Sequence, residues 1–266
     1  MEIFLTPSIR RWNKKDPVLF VLSIKYDGFD YVNGLFCLWS AMEHPPVIYN
    51  PTTRIVRYLP CLDSIDHRFT CYSYSFGFEL DGKKYKILMS SHPLDPNSLT
   101  KHWVLTLGSN ESWREIKSEP CSSLLLLSRG LCMEGFIYFL GIHEDKRCIV
   151  TFNVRTENFR IISLWADVID VLGGIFCNLM QVKGKLAVIS QSRWNVNEIY
   201  LRILQSCENE EWVKHTITFS ETLCSSLMKN FIGCISGSTP DGEIVFISNS
   251  MFNGSWIVYY DLKKKS

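Results

Sequence analysis

The sequence predicts an all-β protein, a propeller-like ring of about five four-stranded repeats. Three observations predict it. A polar residue followed by glycine recurs five times between strand-like apolar runs. The recurrence has a period near 50 residues, and almost nowhere in the chain do apolar residues fall at helical spacing.

The turns come first. They are Asn33-Gly34, Asp81-Gly82, Glu134-Gly135, Lys183-Gly184 and Asp241-Gly242. Glycine takes the positive φ that tight hairpins demand, so each pair marks a reversal between two strands. The glycines are spaced at 34, 82, 135, 184 and 242, in the range of kelch-type blades.

The strand leading into each turn reads FDYV, YSFGFEL, RGLCM, IFCNLMQV or FIGCIS, and the strand leaving it reads LFCLWS, KYKILMSS, FIYFLGI, KLAVISQS or EIVFISN. A third strand follows a polar loop: PPVIYNP, HWVLTLG, CIVTFNV, EIYLRIL or SWIVYYD. Four repeats add a last strand, IVRYLP (55–60), SWREIK (112–117), NFRIIS (158–163) or EWVKHT (211–216). Ile149, Thr151 and Asn153 alternate with Val150, Phe152 and Val154 at the period of two that a pleated strand requires. The fifth repeat stops without its outer strand, and Pro17–Ile24 is a strand without a hairpin partner, so the N-terminal strand is expected to close the ring and hide its edges. Residues 220–230, with Ser220 as N-cap, predict one short helix between repeats four and five.

Composition excludes several functions. The 266 residues are 46% hydrophobic and 21% charged, ordinary for a folded globular chain. Interspersed charges sum to +1, which leaves no field to recruit nucleic acid or a membrane surface. No apolar run nears the roughly 18 residues of a membrane span, and the first residues lack the order of a secretory signal. The chain is therefore expected in the cytoplasm or nucleus, with its ten cysteines reduced and several of them in the core.

No catalytic motif is present: there is no P-loop, dinucleotide fingerprint, zincin helix or nucleophile elbow, and neither cofactor nor metal is expected. Asp63/Asp66 and Asp167/Asp170 fall in connections, where aspartate makes turns and caps. Trp113, Phe159 and Trp212 open the last strand of their repeats and are expected to pack between blades. Asp30 and Glu79 are the main acidic groups on the innermost strands.

In a meander the first and third turns share one face of the ring, while the second turns and the crossings share the other. Here the former are short and regular, and the latter, including SSHPLDPNSLTK, HEDKR and QSRWNVNE, are dissimilar. Recognition usually resides in variable loops on a rigid scaffold, which places a partner-binding face around His92, Asp95, Glu144, Arg193 and Trp194.

The stretches NGLFCLW, PVIYNPTTRIVRYLP, FGFELDGKKYKIL, HWVLTLGSNESWREI, GLCMEGFIYFLG and IVTFNVRTENFRII, in this order, closely resemble the plant F-box-associated domain of type 3 over residues 18 to 262. The resemblance implies a kelch-like propeller that holds a protein to be ubiquitylated by a Skp-cullin-F-box ligase, without enzymatic activity of its own. The expected partner is an unidentified substrate protein; Skp-type adaptor and cullin join only where an F-box lies upstream. Residues 1–16 read as the remnant of an F-box and linker, 17–262 as the propeller-like domain and 263–266 as a basic tail. The F-box itself is absent from the sequence, so a degenerate, truncated paralogue is an alternative, beside a propeller enzyme and a carbohydrate-binding module.

Overall fold

The computed structural model describes residues 26, 28–40, 45–62, 70–93, 99–108, 111–117, 123–164, 175–192, 197–206, 210–219, 235–250 and 254–262. They form twenty strands in five antiparallel meander sheets, the β-propeller class expected from the repeats. Pro17–Ile24, the 220–230 segment, Asp63, Asp66, Asp167 and Asp170 lie outside the described residues.

The chain divides into two compact units, residues 12–163 and residues 1–11 with 164–266. The first unit holds three sheets. Sheet one is β1 (Gly28–Val32), β2 (Leu35–Trp39), β3 (Val47–Asn50) and β4 (Ile55–Tyr58). Sheet two is β5 (Thr70–Glu79), β6 (Lys84–Pro93), β7 (His102–Thr106) and β8 (Arg114–Ile116). Sheet three is β9 (Leu124–Leu126) and β10 (Leu131–Met133), both paired to β11 (Phe136–His143), then β12 (Lys146–Asn153) and β13 (Phe159–Ser163).

The second unit holds β14 (Ile175–Val182), β15 (Lys185–Ser192), β16 (Glu198–Ser206) and β17 (Glu211–Thr218) as one sheet. The other is β18 (Ile235–Ser238), β19 (Ile244–Ser250) and β20 (Gly254–Tyr260), three strands among the described residues. Its core gathers Ile189, Ile199, Leu201 and Ile217 with Phe246 and Val258 across β14 and β18.

Turn chemistry follows the sequence in three of the five first turns. Asn33-Gly34, Glu134-Gly135 and Lys183-Gly184 each put both central residues at positive φ, as a two-residue type I′ turn requires. At Asp81-Gly82 the loop is four residues long and Lys83, at φ 51°, takes the left-handed position instead of Gly82. At Asp241-Gly242 the loop is five residues long, with Gly242 at φ 87° and its N–H donated to the Thr239 carbonyl.

The third turns repeat a device. Asn50 Oδ1 accepts the N–H groups of Thr52 and Thr53, and Arg54 closes the turn at φ 59°. Asn153 Oδ1 accepts those of Arg155 and Thr156, and Glu157 closes at φ 59°. An asparagine at the end of the third strand thus caps its own turn.

The alternation read in β12 does not become one buried and one exposed face. Cys148 through Phe152 are all buried, so both faces of β12 are covered. β5 shows how a strand manages this. Tyr72, Tyr74 and Phe76 alternate with Ser73, Ser75 and Gly77. The aromatic face joins Cys37, Trp39 and Ile48 of sheet one, while the small face lets sheet three approach. A Cβ on Gly77 would lie 2.8 Å from Val154.

Candidate functional site

A recess of about 660 Å³ opens in the first unit, at the starts of the innermost strands of its three sheets. It is lined by Gly28, Trp39, residues 72–75 and residues 125–129. Two local features shape it, and a third lies beside it.

The first is Gly28. It pairs with Trp39 across β1 and β2, and a Cβ there would lie 2.3 Å from Trp39 Nε1, so only glycine lets the indole lie over the strand. The ring then meets Tyr74 at 6.2 Å, and Tyr74 in turn meets Trp113 at 6.1 Å. Trp113 is anchored by its indole N–H on the Pro60 carbonyl, 2.8 Å away, and Phe159 meets the His102 ring of sheet two at 5.0 Å, so both pack between sheets as expected. Burial raises the Tyr74 phenol well above its ordinary pKa, so the aromatic wall is uncharged.

The second feature is a break in the inner strand of sheet three. Leu124–Leu126 pairs with Gly141–His143, and Leu131–Met133 pairs with Phe136–Tyr138, leaving residues 127–130 as a bulge. Leu127 and Ser128 both donate their N–H to the Leu140 carbonyl, and Ser128 Oγ accepts the Leu140 N–H at 2.8 Å. The hydroxyl replaces the lost ladder partner, and the bulge presents Leu127 and Arg129 outward, as such irregularities do beside binding sites.

The third is Asp30 on β1. Its carboxylate accepts the Phe76 N–H at 2.9 Å, tying β1 to β5. Burial pushes its pKa up to about 7, against the opposing effects of the Phe76 hydrogen bond and the Arg129 charge. Arg129 also lies over the Phe29 ring, 5.8 Å from its centre.

Of the five residues expected on the partner face, the structure describes two. His92 lies on β6 opposite Cys71 of β5, one pair beyond the Tyr72–Ser91 step beside the recess. Glu144 is exposed in a two-residue turn with Asp145, both at positive φ, next to the His143–Leu124 pair that begins β9. HEDKR is therefore a tight hairpin and not one of the variable loops expected on that face. Asp95, Arg193 and Trp194 lie outside the described residues.

Trp39, Tyr72, Tyr74 and Arg129 were not among the expected site residues. The signal for the tyrosines was present in the aromatic and small alternation of YSYSFG. The bulge had only LLLLSRG, a run with no alternation to betray a register change.

Glu79, the other inner-strand acid, belongs to a charge network joining sheets two and three. Buried Lys86 lies 2.9 Å from Glu157 and 3.9 Å from Glu79, and Arg114 reaches Glu157 at 2.6 Å. Arg155 pairs with Asp81 beside them. Burial raises the Glu157 pKa, but hydrogen bonds from Lys86 and Arg114 outweigh it and hold the carboxyl below its ordinary value. Among the described residues no group of three or more His, Cys, Asp or Glu side chains could hold a metal ion.

The five antiparallel sheets define the chain as a β-propeller. The model of the F-box associated beta propeller domain matches residues 15–266, and the chain belongs to that family. The Arabidopsis thaliana F-box protein At3g57590 is 30% identical over 250 residues, covering 89% of this chain and 59% of that one. The Arabidopsis F-box protein At1g52495 is 30% identical over 256 residues, covering 90% and 56% respectively. The chain thus spans less than two thirds of the length of these relatives. Among solved structures, an exo-β-1,3-galactanase from Clostridium thermocellum has a TM-score of 0.47 at 8% identity, covering 87% of this chain and 57% of that one.

Proposed function

We propose that this domain is the substrate-recognition part of a Skp-cullin-F-box type ubiquitin ligase, acting as a non-enzymatic protein-binding module in the cytoplasm or nucleus. The observation that carries the reading is the family match over residues 15–266. The site is consistent with it, since the two inner-strand acids are spent on the Phe76 amide and on Lys86 and not on converging reactive groups. Skp-type adaptor and cullin enter through an F-box, and the propeller contributes the client.

The test is co-purification from plant cells of the protein tagged at its own genomic locus, with mass spectrometry of bait and partners. Recovery of adaptor and cullin with F-box peptides attached to the bait supports the role. A bait that begins at Met1 and brings down neither removes the ligase role from this chain.

A further inference from the structure

We propose that the recess at the starts of β1, β5 and β9 seats an extended peptide as an added strand, its backbone pairing with the inner edge of β5 at Tyr74 and an apolar side chain lying against the Trp39 indole. The proposal rests on the substrate-recognition reading above and names how the client segment is held.

The inner edge of β5 is a row of outward amides. β5 pairs with β6 in unbroken register from Thr70 to Glu79, and in such a ladder the N–H and C=O of alternate residues point away from the partner strand. The Phe76 N–H, donated to Asp30 Oδ2, identifies the even-numbered residues as the outward set. Phe78 obeys the same parity, its N–H turned to the Cys132 thiol. Side chains of sheets three and one thus cap the row at 78 and 76, and Tyr74, the next member, lines the recess. β9 repeats the pattern. Leu127 turns its N–H to Leu140 of β11, so the backbone groups of Leu126 and Leu124 face the other way. The Leu124 carbonyl accepts the Thr100 hydroxyl at 2.7 Å, and Leu126 lines the recess.

The lining has the signature of strand edges. One face of a strand shows every second residue, yet the recess touches residues 72–75 and 125–129 consecutively. A ligand there meets a donor and an acceptor of the same residue on one side, the pair that another peptide strand matches with its own backbone. Charge does not select the ligand. Arg129, the charged side chain among the described lining residues, already acts on Asp30 and lies over the Phe29 ring. The Trp39 indole supplies the apolar contact, and the volume of about 660 Å³ suits a segment of a few residues and not a folded domain.

The experiment is selection from a random twelve-residue peptide display library on the immobilised full chain, followed by synthesis of an enriched peptide with each amide N-methylated in turn. Strand pairing predicts that methylation costs tenfold or more in affinity at alternate positions and little at those between, a pattern read on wild-type protein. Saturating peptide should also slow exchange of the Tyr74 amide hydrogen tenfold or more in protein labelled with ¹⁵N-tyrosine, the signal being assigned by its loss in Tyr74→Phe. Binding should fall tenfold or more in L127R, at an exposed lining position, and stay unchanged in E115K, an exposed charge on β8. No enrichment, methylation losses without alternation, Tyr74 exchange indifferent to peptide, or binding indifferent to L127R overturns the proposal. Recovery of adaptor and cullin alongside any of those results leaves the ligase role standing while the peptide inference falls. Peptides that bind as described without adaptor recovery do the reverse.

Discussion

At the scale of single residues, Asp30 shows how burial of a carboxyl group sets a pH response. Its folded pKa of about 7 lies above the unfolded value near 4, so between these limits the native state binds more protons than the unfolded chain. Stability from this group is therefore complete below about pH 4 and declines as pH rises toward 7. Asp30→Asn keeps an oxygen for the Phe76 amide but cannot ionise. Denaturant titrations at pH 5 and pH 8 should show the variant gaining on wild type by about 1–2 kcal/mol at the higher pH, less than the full shift because the residue is not wholly enclosed. A loss of equal size at both pH values would reject this account.

Gly34 makes the complementary point about backbone. Its φ of 91° lies in the left-handed region, and a Cβ there meets nothing within 4 Å. Gly34→Ala should accordingly cost about 1 kcal/mol by denaturant titration through conformation alone, with no repacking. That cost was legible in the sequence, because Asn-Gly between strands has one dominant meaning.

Between elements, the sheets of the first unit are joined by charge as well as by apolar contact. Lys86 is buried and its carboxylate partners are Glu157 and Glu79, so Glu157→Ala leaves a buried ammonium with the longer Glu79 contact and the Arg155 carbonyl at 3.3 Å. The expected loss is about 2–3 kcal/mol, against less than about 1 kcal/mol for Arg114→Ala, whose side chain is largely in water. Because the Glu157 pKa is lowered, the contribution is present above the unfolded glutamate value and fades as pH falls through the folded one. Thermal melts of both variants at pH 7 and pH 4 separate the effects: the gap between wild type and Glu157→Ala should narrow at pH 4.

Elements were also where the sequence spoke most clearly. Every described strand of sheets two, three and four except β9 overlaps a run quoted from the sequence, since turn residues and apolar runs are local signals. Interruptions were invisible for the same reason. The β9–β10 bulge depends on which backbone groups of β11 remain to be paired, and the tight Glu144-Asp145 hairpin on a twist that neither residue type announces. The recess is a product of three sheets side by side, because its walls come from Gly28 and Trp39, residues 72–75 and residues 125–129. Spacing along the chain carries no trace of that convergence.

For the molecule as a whole, the free thiols among the described residues give a direct readout of opening. Cys37 and Cys148 are free and buried, with burial raising both thiol pKa values, while Cys61 is free and exposed. In native protein a thiol reagent should label Cys61 promptly and Cys37 and Cys148 only as the fold opens, so peptide mapping of a labelling time course reports opening within 12–163. Equal labelling of all three in the native state would contradict the packing described for sheets one and three.

Trp39 carries one more consequence. The indole laid over Gly28 is 6% exposed yet forms part of the recess wall, so it is an optical probe built into the recess itself. Subtracting the emission of a Trp39→Phe variant from that of the wild type isolates its light from that of the other seven tryptophans. The difference spectrum should be blue and shielded from soluble quenchers, and should change when the recess fills. The same side chain that closes the wall can then report occupancy without any label on either molecule.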